Sequence, residues 1–299
     1  MYQLMLNVAV LLCCITLLNK QVAADAGHSM AMYNYANCLR SGEGVEQSLE
    51  HAFTLYQTLS SRGHAGGMYA YANMLRLGAG CEQDAVTALR IYKQLADNNI
   101  TPAIHQLAAM LAQGQGTRDS AVDEHAAARW FRKGAALGDP LCIAAVASWT
   151  CSGKGGIQQD WTEGFKLNST AAQARVPHAH YNLGCHYFSG NGVAQDLALA
   201  VYHWEQAAEM RMDIAMLNLA KMYAQGLGVE CDRAKALELY SAAVGSGAAE
   251  HEAFEKLMQK IDAEQQSTIT SACSGSRASS SSDGASSSAA KSHEQQSKQ

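Results

Sequence analysis

Six glycine pairs recur along this chain at a nearly constant period. They are Gly42-Glu43-Gly44, Gly78-Ala79-Gly80, Gly114-Gln115-Gly116, Gly153-Lys154-Gly155, Gly190-Asn191-Gly192 and Gly226-Leu227-Gly228, with first glycines 36, 36, 39, 37 and 36 residues apart. A fixed period of this length marks a repeat array, in which one unit cannot bury its own apolar face and neighbours must stack. That constraint outranks any local motif. It bounds function only to a class, because an array presents surface and seldom carries out chemistry.

Each pair closes an amphipathic helix. Eleven residues before the first glycine stands a small residue (Ala31, Gly67, Ala103, Cys142, Ala179, Ala215), and four residues later a larger one (Tyr35, Tyr71, Leu107, Val146, Leu183, Leu219). Positions separated by four share one helical face, and the small members admit a second helix at close range. Helix termination accounts for the glycines, since glycine past a helix end adopts positive φ without a Cβ clash. Asp84, Asp119, Asp160, Asp196 and Asp232, with Gln47-Ser48 in the first copy, then supply acceptors for the free N–H groups of a second helix. That helix carries Ala52/Tyr56, Ala88/Tyr92, Ala127/Phe131, Gly164/Asn168, Ala200/Trp204 and Ala236/Tyr240 four residues apart. It closes at Gly63, Gly138 and Gly247, or at Asn99, Arg175 and Arg211. The fourth copy departs most, with Cys142, Val146, Thr150 and Asn168 at core positions, and is expected to pack most loosely.

These units resemble the Sel-1-like repeat, a relative of the tetratricopeptide repeat. Ala215 to Gly247 carries the resemblance best, through Leu219, Tyr223, Gly226, Gly228, Val229, Asp232, Lys235, Ala236, Tyr240, Ala242 and Ala243. The resemblance implies an all-α chain, an α/α solenoid wound as a right-handed superhelix, serving as a non-catalytic scaffold or adaptor. It covers about residues 27 to 250, and the array of six units is expected to end in a terminal capping helix (27–261 in all), with Ala253, Phe254, Leu257 and Ile261 on one side of that helix. Nearest among the family's roles is an adaptor in endoplasmic-reticulum-associated degradation. A cytosolic signalling or assembly regulator is the alternative, and a β-lactam-binding or hydrolysing enzyme a more distant one.

The ends are different in kind. Residues 1–26 are apolar from Leu4 to Leu18, too short for a comfortable membrane span, and read either as a signal peptide or anchor or as a worn half-repeat. Membrane association follows only if that segment is an uncleaved anchor. Residues 262–299 lose the period and become rich in Ser, Gly and Ala, a composition that cannot offset chain entropy, so a disordered tail is expected. The cysteines do not recur in pairs. Cys142 and Cys151 lie nine positions apart on one helix, roughly 13 Å at 1.5 Å per residue and too far to bond. That spacing favours a reducing compartment, whereas the N-terminal segment favours the secretory pathway.

No arrangement points to chemistry. The glycine pairs follow helices rather than strands and are not phosphate loops. His178, His180, Cys185 and His186 crowd one helix, but their spacing does not favour a metal site, and no cofactor is expected. No S-x-x-K nucleophile motif is present. The formal net charge of −5 and the lack of a visible basic stripe argue against nucleic acid. One face has functional promise. Positions eight, five and one before each first glycine are rich in amides and poor in charge, and include Asn34, Asn37, Asn73, Gln106, Asn182, Asn218 and Lys221. Such a stripe offers paired donors and acceptors to an extended peptide backbone, so a protein or peptide partner is expected there.

Overall fold

In the computed structural model, residues 27–245 are described, together with Val22, Ala24, 252–256, 258–260 and Ala263. The worn-repeat or signal reading of residues 1–26 otherwise lies outside the described residues, as does the tail apart from Ala263. The helices are α1 (Ser29–Ser41), α2 (Leu49–Ser61), α3 (Ala65–Leu77), α4 (Ala85–Asp97), α5 (Thr101–Gln113), α6 (Glu124–Ala136), α7 (Pro140–Ser152), α8 (Trp161–Gln173), α9 (Pro177–Ser189), α10 (Leu197–Glu209), α11 (Asp213–Gln225) and α12 (Arg233–Val244). No strand occurs among the described residues. The chain divides into two compact units, Met1–Asp196 and Leu197–Gln299. Within each, consecutive helices pack in pairs as an α/α solenoid.

The loop geometry explains the repeat. The first glycine of every pair is left-handed, with φ between 67° and 74°, and ends its helix as the pattern predicts. The residue that starts the next helix then does two jobs. Its backbone N–H donates to the carbonyl of the residue three before the first glycine, as in Asp84 to Leu75 (2.9 Å) and Asp160 to Thr150 (2.9 Å). Its side chain accepts from the third residue of the new helix, as Asp84 Oδ1 does from the Thr87 N–H at 2.9 Å. The third copy differs from the sequence expectation. Asp119 sits in the 3-10 turn Arg118–Ser120 with φ 55°, and Asp123 caps α6 instead. The three additional residues of that copy displace the capping role by three positions, from the sixth residue after the first glycine, as in Asp84 after Gly78, to the ninth.

The second glycine has a different purpose from the one read in the sequence. In Gly80, Gly116, Gly192 and Gly228 an added Cβ would strike the backbone where the preceding unit's second helix begins, at Leu49, Ala85, Trp161 and Leu197 respectively. The first glycine shapes its own unit, while the second lets adjacent units approach. Asn99, Arg175 and Arg211 hold positive φ at the ends of second helices just as Gly63 and Gly138 do, whereas Gly247 lies outside the described residues and α12 ends at Val244 with Gly245 after it.

The core forms from the registered small and aromatic positions. Tyr56, Tyr92, Phe131, Asn168 and Trp204 are buried, as are Ala52, Ala88, Ala127, Gly164 and Ala200 four residues before them. Beyond α12, Phe254 and Met258 are buried and the Phe254 ring lies 5.3 Å from that of Tyr240. Ala253 is exposed there, contrary to the predicted face, while Leu257 and Ile261 lie outside the described residues.

Candidate functional site

The amide stripe lies on the first helices of the units. In the N-terminal unit Asn34 is exposed, whereas Asn37, Asn73, Gln106 and Asn182 are half-buried. In the C-terminal unit Asn218 is half-buried and Lys221 exposed. Two stripe residues do the same job one repeat apart. Asn37 Oδ1 accepts from the Tyr56 hydroxyl at 2.7 Å, and Asn73 Oδ1 accepts from the Tyr92 hydroxyl at 2.7 Å. Both tyrosine rings are buried, and a buried hydroxyl needs a partner. Burial pushes both phenols above their ordinary range, against the opposing pull of Arg40 on Tyr56 and of Arg76 on Tyr92. The hydroxyl holds each amide in one orientation, so its Nδ2 group is a fixed donor.

Asn182 is tied differently. Its Nδ2 donates to Asn168 Oδ1 at 3.2 Å, and Asn168 Nδ2 lies 3.4 Å from His186 Nε2. His186 Nδ1 is 2.7 Å from the Asn191 carbonyl, which can only accept, so Nδ1 carries the proton and Nε2 the lone pair. Cys151 Sγ is 3.5 Å from that Nε2. The fourth copy is therefore not loosely packed. Asn168, at the aromatic position, joins α7, α8 and α9 through a buried polar network, and the His186 ring lies edge-on to Trp161 and Phe165.

A cysteine, a histidine and an asparagine in contact invite a nucleophile reading, which burial argues against. Cys151, Asn168 and His186 are 9%, 0% and 3% exposed, which leaves no path for a substrate. Burial, with Asp160 nearby, also raises the Cys151 thiol above its usual range and so disfavours the thiolate that attack requires. Among the described residues no group of three or more His, Cys, Asp or Glu side chains is placed to hold a metal ion. His178, His180, Cys185 and His186 are not brought to a common point. Burial lowers the affinity of His180 for a proton, and it does the same to His105, whose Nδ1 is buried without a hydrogen-bond partner. His28 and His64 both stand at helix N-caps, and the His64 ring accepts from the Gly67 N–H at 3.0 Å.

The Sel1 repeat family pattern matches residues 29–64, 65–100, 101–139, 177–211 and 213–247. It passes over the fourth copy, where Asn168 replaces the aromatic. No curated protein matches the chain. Among solved structures, a Sel1 repeat protein from Oxalobacter formigenes is 23% identical with a TM-score of 0.67, over 74% of this chain and 87% of that one. A protective antigen of uropathogenic Escherichia coli with an SLR fold is 24% identical with a TM-score of 0.63, over 76% of this chain and 48% of that one. The chain thus spans about half the length of the E. coli protein. At these identities the likeness speaks for fold alone. The repeat matches cover more than half of the sequence, and the chain belongs to the Sel1-repeat family.

Proposed function

We propose that this chain is a non-catalytic scaffold that binds an extended segment of a protein partner along its first-helix face. Members of the family generally serve as protein-interaction scaffolds. The observation that carries the reading is the pair Asn37 and Asn73, whose amides are held in one orientation by Tyr56 and Tyr92. Donors fixed before binding lose little freedom on binding, which favours recognition of a peptide backbone. The test uses Asn37→Asp together with Asn73→Asp. Aspartate still accepts from the tyrosine hydroxyl but removes the Nδ2 donor. A partner identified by affinity capture with the intact chain is then titrated with both proteins. Loss of binding by the folded variant supports the face, and equal binding overturns it.

We place the scaffold in a thiol-reducing compartment, as a signalling or assembly regulator. Cys81, Cys142, Cys151 and Cys231 form no disulfide among the described residues, which supports that setting. A mature chain that starts near Ala24 to Gly27 would overturn the placement and favour the degradation adaptor of the secretory pathway.

A further inference from the structure

A groove of about 550 Å³ opens between α4, α5 and α6 of the N-terminal unit. Its apolar lining comes from Leu107 and Leu111 of α5, Leu89 of α4, and Trp130 of α6. Lys93, Arg129 and Lys133 complete it, and no lining side chain is a carboxylate. Lys93 and Arg129 are exposed. Lys133 is held in place, with its Nζ donating to the Ala96 carbonyl at 2.9 Å and standing 4.8 Å from the Trp130 ring centre. The volume is in the range of sites that take small ligands or clustered side chains.

The C-terminal unit builds the same groove from α10, α11 and α12, at about 410 Å³. Leu219 and Tyr223 take the positions of Leu107 and Leu111. Glu205 follows Trp204 as Lys93 follows Tyr92, and Glu238 stands two after Ala236 as Arg129 stands two after Ala127. The shape thus belongs to the repeat, while the charge at its two registered positions reverses sign. An exposed position accepts either charge at little cost to folding. Glu205 is half-buried and answers to its own groove, accepting from the Tyr223 hydroxyl at 2.7 Å and lying 3.7 Å from Lys235 Nζ, whereas the exposed cations Lys93 and Arg129 meet no carboxylate in the lining of theirs, so their sign is a property of what that groove meets.

We propose that the groove between α4, α5 and α6 docks an acidic segment of a protein partner that carries aliphatic anchors. The anchors cover the half-buried Leu89, Leu111 and Trp130, and flanking carboxylates pair with Lys93 and Arg129. Nucleic acid fits less well, because a strand needs successive aromatic platforms and this groove offers one tryptophan. The site joins second-helix cations to Leu107 and Leu111 of the first helix α5, and none of its lining residues belongs to the amide stripe, so it stands or falls independently of the contacts proposed for that stripe.

The test is fluorescence anisotropy with a labelled peptide alternating glutamate and leucine, against a leucine-free polyglutamate and a single-stranded DNA oligonucleotide. The intact chain binds the glutamate–leucine peptide best. The K93E/R129E variant loses about tenfold or more in affinity, as expected when charges facing a partly desolvated partner are reversed. The R90E/R132E variant, altered on the same helices outside the groove lining, retains most of it. Circular dichroism establishes that both variants fold. The proposal is overturned if the peptide does not saturate, if K93E/R129E binds as tightly as the intact chain, or if R90E/R132E loses as much. Tighter binding of the oligonucleotide, or a dimer in sedimentation that K93E/R129E dissolves, would give the groove to nucleic acid or to a second copy and would also overturn it.

Discussion

At the scale of single residues, the repeat rests on two glycines that look alike in sequence and differ in duty. Gly63, which ends a second helix, and Gly116, the second glycine of its pair, separate helix stopping from close approach, because both hold positive φ, at 74° and 71°. Around Gly63 an added Cβ meets nothing within 4 Å, whereas on Gly116 it would overlap the Ala85 carbonyl at the start of α4. Gly63→Ala then carries only the left-handed backbone penalty, about 1–2 kcal/mol. Gly116→Ala adds a steric displacement between units, for a total of about 3 kcal/mol or more. Urea denaturation of the two variants reads the difference directly. Equal losses would mean that the second glycine is no more than another helix stop. The glycine pairs were legible from sequence because each lies within one unit. The clash that explains the second glycine was not, because Ala85 and Gly116 are 31 positions apart in the chain and meet only after stacking.

At the scale of helices, the fourth unit shows how a departure from the pattern is compensated. Asn168 occupies a position filled elsewhere by Tyr56, Tyr92, Phe131 or Trp204, and an isolated amide there would be buried at a cost. The neighbouring helices supply its partners, Asn182 and His186 on α9, with Cys151 on α7 sharing the same imidazole nitrogen. Asn168→Ala leaves Asn182 Nδ2 without its acceptor and opens a small void, for a loss of about 2–3 kcal/mol. Asn182→Ala removes the same hydrogen bond from the other side. The double variant is therefore less damaged than the sum of the two, with a coupling of about 0.5 kcal/mol or more. Additive losses in a denaturation cycle would show that the pair is incidental. Asn182 was read from sequence as a partner-facing amide. Its position on the helix was legible, but its bond to Asn168 depends on a substitution in the preceding helix that periodicity alone treats as a defect.

At the scale of the whole molecule, the period determines which residues are core, and exposed columns carry what is particular to this chain. The cations at Lys93 and Arg129 escaped a reading along the sequence because they occupy different positions of successive repeats, and they come together only where α4 and α6 flank the same groove. The same one-dimensional logic predicts how stability is distributed. One continuous core gathers residues from Met68 to Val146, and α4 alone buries Ala88, Ile91, Tyr92, Leu95 and Ala96. In α12 Ala236 is the buried residue. Local opening tracks buried apolar contact, so amides of α4 and α5 should exchange with solvent at least about tenfold more slowly than those of α12. Tyr92→Ala should accelerate exchange in α3 to α6 and leave α10 and α11 unchanged, because each repeat passes strain only to its neighbours. Hydrogen-exchange mass spectrometry resolves both effects at the peptide level. Uniform protection, or acceleration by Tyr92→Ala along every helix, would mean that the chain opens as one cooperative body and that its units do not act as separate, stacked elements.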